Sequence, residues 1–98
     1  MKVTISSVHF DADQKLLDFI EKKVKKLYQF HENILGAEVI LKIDANDEIG
    51  NKITEIRLNI PGDDLFAKKQ SKTFEEATDL AIDALRIQIT KVKTKRRS

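Results

Sequence analysis

In the segment Lys52-Ile53-Thr54-Glu55-Ile56-Arg57-Leu58-Asn59-Ile60-Pro61-Gly62-Asp63-Asp64, residues Ile56, Leu58 and Ile60 occupy alternate positions on one face of an extended chain. That alternation predicts a half-buried strand over about Lys52 to Ile60. Pro61-Gly62-Asp63-Asp64 supplies the turn that ends it, since proline and glycine suit adjacent central positions of a tight turn. So short a connection returns the chain as an antiparallel hairpin, and a weaker fourth strand is expected from about Leu65 to Gln70. Upstream, Val39, Leu41 and Ile43 alternate while Ile40 and Lys42 face away, so Glu38 to Asp44 reads as another strand. The intervening residues, Asn46 to Asn51, have turn composition.

Val3-Thr4-Ile5-Ser6-Ser7 alternates in the same way and predicts the first strand. From Ala12 to about Phe30, Leu16, Leu17, Ile20, Val24, Leu27 and Tyr28 recur at helical spacing and form one core stripe. Asp11 is the expected N-cap, with Gln14 completing a capping box. The helix should end near Asn33 to Gly36, where Asn and Gly take left-handed caps. Thr73 and Glu76 make a second capping box for a helix from Phe74 to at least Val92. Its core stripe is Phe74, Ala77, Thr78, Ala81, Leu85, Gln88, Ile89 and Val92. Leu80 and Ile87 fall on the far side, either packed on the neighbouring helix or exposed. The order β-α-β-β-β-α predicts an α+β fold, a two-layer sandwich whose four-stranded sheet carries both helices on one face. If the first two strands are parallel neighbours, their crossover is right-handed. The last five elements echo the double-stranded-RNA-binding domain, a likeness of fold that assigns no function.

At 98 residues the chain reads as a single domain, 1–98. Hydrophobic residues at 41% and charged residues at 35% make it too apolar for simple disorder and too polar for a membrane span. The absence of cysteine excludes disulfides, thiolate catalysis and zinc–thiolate sites together. Met1-Lys2-Val3-Thr4-Ile5-Ser6 lacks the apolar core of a signal peptide, so a soluble cytoplasmic protein is expected. His9 and His31 stand in no metal-ligand or acid–base spacing, and His31 at a helix end suits the carbonyl dipoles as a cation. Asp63-Asp64 reads as turn chemistry and Glu75-Glu76 as charges favoured at a helix N-terminus. With no glycine-rich phosphate loop or nucleophile elbow, the sequence predicts no enzyme, catalytic residue, cofactor, metal or small-molecule substrate.

The net charge of +2 conceals a gradient. Residues 32–64 carry −5, whereas Arg86, Lys91, Lys93, Lys95, Arg96 and Arg97 give residues 86–98 a charge of +6 and end in a basic tail at about 93–98. The first helix adds Lys15, Lys22, Lys23, Lys25 and Lys26. Clustered cations attract phosphate by releasing its condensed counterions, so Lys22, Lys23, Lys26, Arg86, Lys91, Lys93 and Lys95 are the candidate RNA-binding residues. The alternative is a pair of solvated faces. Asp18 precedes Lys22 and Glu21 precedes Lys25 at i,i+4 spacing, so those two lysines are the readiest to be taken up in ion pairs. Lys23, Lys26, Lys91, Lys93 and Lys95 lack such an acid. Whether the basic flanks merge depends on the relative sense of the helices. Phe10, Phe19, Tyr28, Phe30, Phe66 and Phe74 sit in or beside apolar segments and read as mostly core. A stacking platform for single-stranded bases is therefore not expected, and recognition of folded RNA by shape and phosphate fits better.

Three segments, in their order and spacing, carry a family resemblance: Lys23-Val24-Lys25-Lys26-Leu27-Tyr28-Gln29-Phe30, Val39-Ile40-Leu41-Lys42-Ile43, and Ala81-Ile82-Asp83-Ala84-Leu85 followed by Gln88-Ile89-Thr90-Lys91-Val92-Lys93-Thr94-Lys95. Over nearly its whole length the chain resembles the ribosome hibernation promoting factor family, also called the ribosome-associated inhibitor family. The resemblance implies the same β-α-β-β-β-α fold in a short form lacking the dimerisation domain of longer members. It also implies binding to the small ribosomal subunit and its 16S rRNA, within the 70S ribosome, in the channel of messenger and transfer RNA. Translation would be blocked there reversibly, under stress or in stationary phase. The family's rRNA-facing positions fall here on Lys23, Lys26, Lys91, Lys93 and Lys95. Ala84 and Ile87 stand where many members carry basic residues, with Arg86 beside them. Two other functions stay open: a general double-stranded-RNA-binding module, and a protein-interaction module using the acidic sheet surface or Leu80 and Ile87.

Overall fold

Alternation and helical spacing resolve into six elements in the computed structural model, which describes residues 2–46 and 49–97 except for the side chains of 93–97. These are β1 (Lys2–Ser7), α1 (Gln14–Lys26), β2 (Gly36–Ile43), β3 (Lys52–Ile60), β4 (Asp63–Ser71) and α2 (Phe74–Arg97), with one 3-10 turn, Leu27–Gln29, after α1. The strands form one sheet in the order β1-β2-β3-β4. β1 pairs parallel with β2, and the remaining pairs are antiparallel. Residues opposite one another share a face, so Ile5, Val39, Ile56 and Ala67 make one rung and Val3, Ala37, Leu58 and Leu65 the next. Both helices cover that face: Ile20, Val24 and Leu27 of the α1 end join Ala81, Leu85 and Ile89 of α2 in one core with the strands.

The pairing pattern gives β1, β2 and β4 one direction. α1 returns from β1 and α2 from β4, so the two helices run in the same sense. Contacts along their length agree. Phe10, ahead of α1, stacks on Phe74 at the start of α2 with centroids 5.2 Å apart. Further along, Lys23 of α1 reaches Asp79 of α2.

The helix ends depart from the sequence expectation. Asp13, not Asp11, caps α1, its Oδ1 accepting the Leu16 N–H at 2.9 Å. His9 adopts φ +63°, and the Ser7 hydroxyl donates to the Phe10 carbonyl at 2.7 Å, so a turn occupies residues that would otherwise begin the helix. No left-handed cap forms at the far end. The chain tightens into the 3-10 turn and stops at Phe30, whose N–H donates to the Leu27 carbonyl. His31 then turns inward, where it is buried and its Nδ1 accepts the Asn33 N–H at 3.1 Å. A ring nitrogen that accepts carries no proton, so His31 serves as a buried acceptor and not as a cation on the helix dipole.

Burial corrects three further expectations. Tyr28, Phe30 and Phe66 are exposed, and Phe74 is the one fully buried aromatic among the described residues. Ile43, at the end of β2, is exposed too, as are Leu80 and Ile87 on the outer side of α2. Asp63 and Asp64 belong to β4, which leaves Pro61-Gly62 as the turn. Gly62 there has φ +83°, the left-handed value a type II turn requires of its second central residue. The Thr73 cap holds, accepting the Glu76 N–H at 3.0 Å. The helix-free face of the sheet is of mixed charge, not acidic, with Lys42 paired to Glu55 at 2.8 Å and Arg57 to Asp64 at 3.7 Å.

Two polar contacts give tests of this packing. Thr54 on β3 and Thr78 on α2 are both fully buried, with hydroxyl oxygens 3.3 Å apart. Thr54→Val or Thr78→Val alone strands the other hydroxyl and should lower the unfolding free energy by about 1–3 kcal/mol. The double variant should regain most of that loss in urea denaturation. Asp44 ties the β2–β3 loop to β4, its Oδ1 accepting the Asn46 N–H at 2.9 Å and its Oδ2 the Gln70 amide at 3.1 Å. The Asn46 donor first, and Gln70 after it, hold the carboxyl below its ordinary 3.8. A carboxyl depressed by folding stabilises fully above its unfolded value and loses that contribution as pH falls through the folded one. The Gln70 side-chain amide resonances should therefore stay constant down to about pH 4 and shift only below it.

Candidate nucleic-acid interface

Because α1 and α2 run in the same sense, their basic C-terminal ends point to the same end of the molecule. Lys23, Lys25 and Lys26 fill the last turn of α1, where cations also suit the helix dipole. Ile89 is the last buried residue of α2, and from there the helix carries Lys91 past the core. With 24 residues α2 is about 36 Å long, on a molecule whose longest extent is 46 Å.

Packing redistributes the candidate charges. Lys23, which has no acid one turn before it, is engaged: its Nζ lies 3.5 Å from Asp79 Oδ1 and 5.5 Å from the centroid of the Phe19 ring. Lys22, the one expected to pair with Asp18, makes no ion pair among the described residues. Gln14 takes Asp18 instead, at 2.8 Å. Lys25 pairs with Glu21 at 2.9 Å, as its spacing predicts. Lys26 and Lys91 are exposed and without ion pairs among the described residues. Arg86 lies over the Phe30 ring, 4.6 Å from its centroid. Lys93 and Lys95 belong to α2, but their side chains fall outside the described residues. The charges most available to a polyanion are thus Lys22, Lys26 and Lys91.

Sequence reasoning missed the exposed aromatics. Phe66 had a legible signal, since Leu65 and Ala67 face the core and alternation sends Phe66 outward, where Arg57 lies 5.7 Å from its ring. Phe30 had none, because helical periodicity runs on through the point where the chain tightens. Among the described residues, no cluster of His, Asp and Glu is arranged to hold a metal ion, and no helix is long and apolar enough to cross a membrane.

Residues 3–97 match the family described as sigma 54 modulation protein / S30EA ribosomal protein. The chain belongs to that family. A ribosome hibernation promoting factor of Pseudomonas putida is 30% identical over 98 residues, spanning 100% of this chain and 92% of that protein. The factor of the same name from Escherichia coli is 28% identical, spanning 97% and 96%. The fold is shared with a ribosomal subunit interface protein from Coxiella burnetii, at a TM-score of 0.85 and 22% identity over 96% of this chain and 99% of that one. It is shared also with the N-terminal domain of Thermus thermophilus Protein Y, at 0.79 and 22% over 94% and 99%. The resemblance read from the three sequence segments is the one these relatives carry.

The exchange of partners between Lys22 and Lys23 is directly testable on a heparin column. Lys22→Gln should elute at clearly lower salt than the parent, whereas Lys23→Gln should barely move. Asp79→Asn frees the Lys23 ammonium and should elute later. Its thermal midpoint should change little, since an exposed pair contributes about 0–1 kcal/mol.

Proposed function

We propose that the chain is a ribosome hibernation factor. It binds the small ribosomal subunit, alone and within the 70S ribosome, in the channel of messenger and transfer RNA. Translation is thereby inhibited reversibly under stress or in stationary phase. The observation that carries this reading is the shared sense of α1 and α2, which directs Lys22, Lys26, Lys91 and the basic tail to one end of the molecule. The names of the Pseudomonas and Escherichia relatives and membership of the S30EA family support it. The whole of 1–98 acts in the cytoplasm as a single ribosome-binding domain with a basic tail at about 93–98, without cofactor or chemistry of its own. Lys22, Lys23, Lys26, Arg86, Lys91, Lys93 and Lys95 face the phosphates of 16S rRNA, and Lys23 exchanges its Asp79 partner to do so.

Co-sedimentation with isolated 30S, 50S and 70S particles tests the reading. Binding is expected to 30S and 70S but not 50S, and transfer RNA should compete. The logarithm of affinity should fall against that of salt with a slope of about 0.7–0.9 per neutralised phosphate. Simultaneous Lys91→Glu, Lys93→Glu and Lys95→Glu should abolish co-sedimentation and leave the thermal melt nearly intact. Undiminished association of that variant overturns the residue assignment. Binding of protein-free duplex RNA as tight as that of 30S would instead favour a general double-stranded-RNA module. A partner insensitive to salt and to the basic residues would favour a protein-interaction module.

A further inference from the structure

Beside the end of α1, the outer side of α2 forms an open groove of about 420 Å³ lined by Phe30, Asp83, Arg86, Ile87, Ile89 and Thr90. Its composition is odd for a surface that merely attracts phosphate. Arg86 does not reach into solvent as a free charge but lies over the Phe30 ring at 4.6 Å. The Thr90 hydroxyl commits its proton to the Arg86 carbonyl at 3.0 Å. Asp83 stands three residues before Arg86, exposed and without an ion pair among the described residues. A carboxylate there repels phosphate by the same Coulomb law that makes the neighbouring lysines attract it.

Both oddities have one explanation. A guanidinium resting on an aromatic ring is a planar shelf held in place, and its outer face accepts a further π system. Phe30 remains 39% exposed and Ile87 60% exposed, so the shelf has an apolar rim open to solvent, with buried Ile89 beneath. The carboxylate then reads the edge of whatever stacks. It offers two acceptor oxygens and no donor when ionised. Adenine and cytosine present one amino group on their pairing edge, and uracil a single ring N–H. Guanine alone presents two adjacent donors, N1–H and the N2 amino group, which match a carboxylate with two bonds.

We propose that this groove is a guanine site: an unpaired guanine of RNA stacks on the Arg86–Phe30 shelf and donates N1–H and N2–H to Asp83. The proposal rests on the RNA-binding reading above and adds base selection to it. The test uses end-labelled pentanucleotides UUGUU, UUAUU and UUUUU, which carry the same phosphates, in fluorescence anisotropy at fixed salt. The wild-type chain should prefer UUGUU to UUUUU by about tenfold, the scale of one stacked and hydrogen-bonded base. Both Asp83→Asn and Arg86→Lys should bring that ratio close to one. Arg86→Lys keeps the charge, so its affinity for UUUUU and its salt dependence should stay unchanged. Thermal melts of both variants check folding, and since both residues are exposed they should match the parent. Equal binding of all three oligonucleotides by the wild type overturns the proposal, as does equal binding of UUAUU and UUGUU. A preference that survives both substitutions overturns it too. If any of these is seen while 30S still co-sediments, the guanine site falls and the ribosome reading stands. If neither oligonucleotides nor 30S bind, both fall.

Discussion

β1 lies parallel to β2, and a parallel neighbour cannot be reached by a tight turn. The chain must leave the sheet, cross one face and come back, and α1 is that crossover. The two antiparallel pairings that follow bring the chain back along β4 in its original direction, so α2 leaves the sheet the way α1 did. The common sense of the helices follows from strand pairing alone. A helix accumulates partial negative charge at its C-terminus, and here two such ends lie together. Lysine and arginine at those positions therefore favour the fold as well as a polyanion, and no conflict arises between helix stability and the charge a ligand requires.

Much of this was legible because the relevant signals are local. β3 runs from Lys52 to Ile60 as its alternation says, and Thr73 caps α2 because a hydroxyl three residues before a free N–H needs nothing distant to act. The core stripe of α2 follows from spacing, with Ile82 as an addition at its margin. Reading failed where two local solutions compete. Asp11 and Asp13 can each cap a helix, and only the turn at His9 decides between them. Tyr28 and Phe30 continue a helical pattern, yet the chain tightens at Leu27 and carries them outward.

The candidate site shows the same division more sharply. Its charges are visible in composition, but their availability is a tertiary property. Spacing assigned Lys22 a partner and left Lys23 free, and the folded chain does the opposite, because Gln14 is also one turn from Asp18 and α2 brings Asp79 alongside Lys23. No one-dimensional rule contains the second fact. The pairing of Arg86 with Phe30 is likewise invisible in sequence, since those residues lie in different elements and meet only across the helix interface.

The threonine pair under α2 has a wider bearing than its small energy. Apolar side chains attract without direction, so a helix on a greasy sheet can slide or roll at modest cost. Two hydroxyls that must find each other cannot, because a hydrogen bond weakens steeply with angle and distance. Thr78 on α2 and Thr54 on β3 thus act as a pin through the two layers, fixing both the axial position of α2 and its rotation. A slip of one turn would carry the helix about 5.4 Å and leave Arg86 with no ring beneath it. A polar contact at the bottom of the core in this way sets the phase of the surface above it.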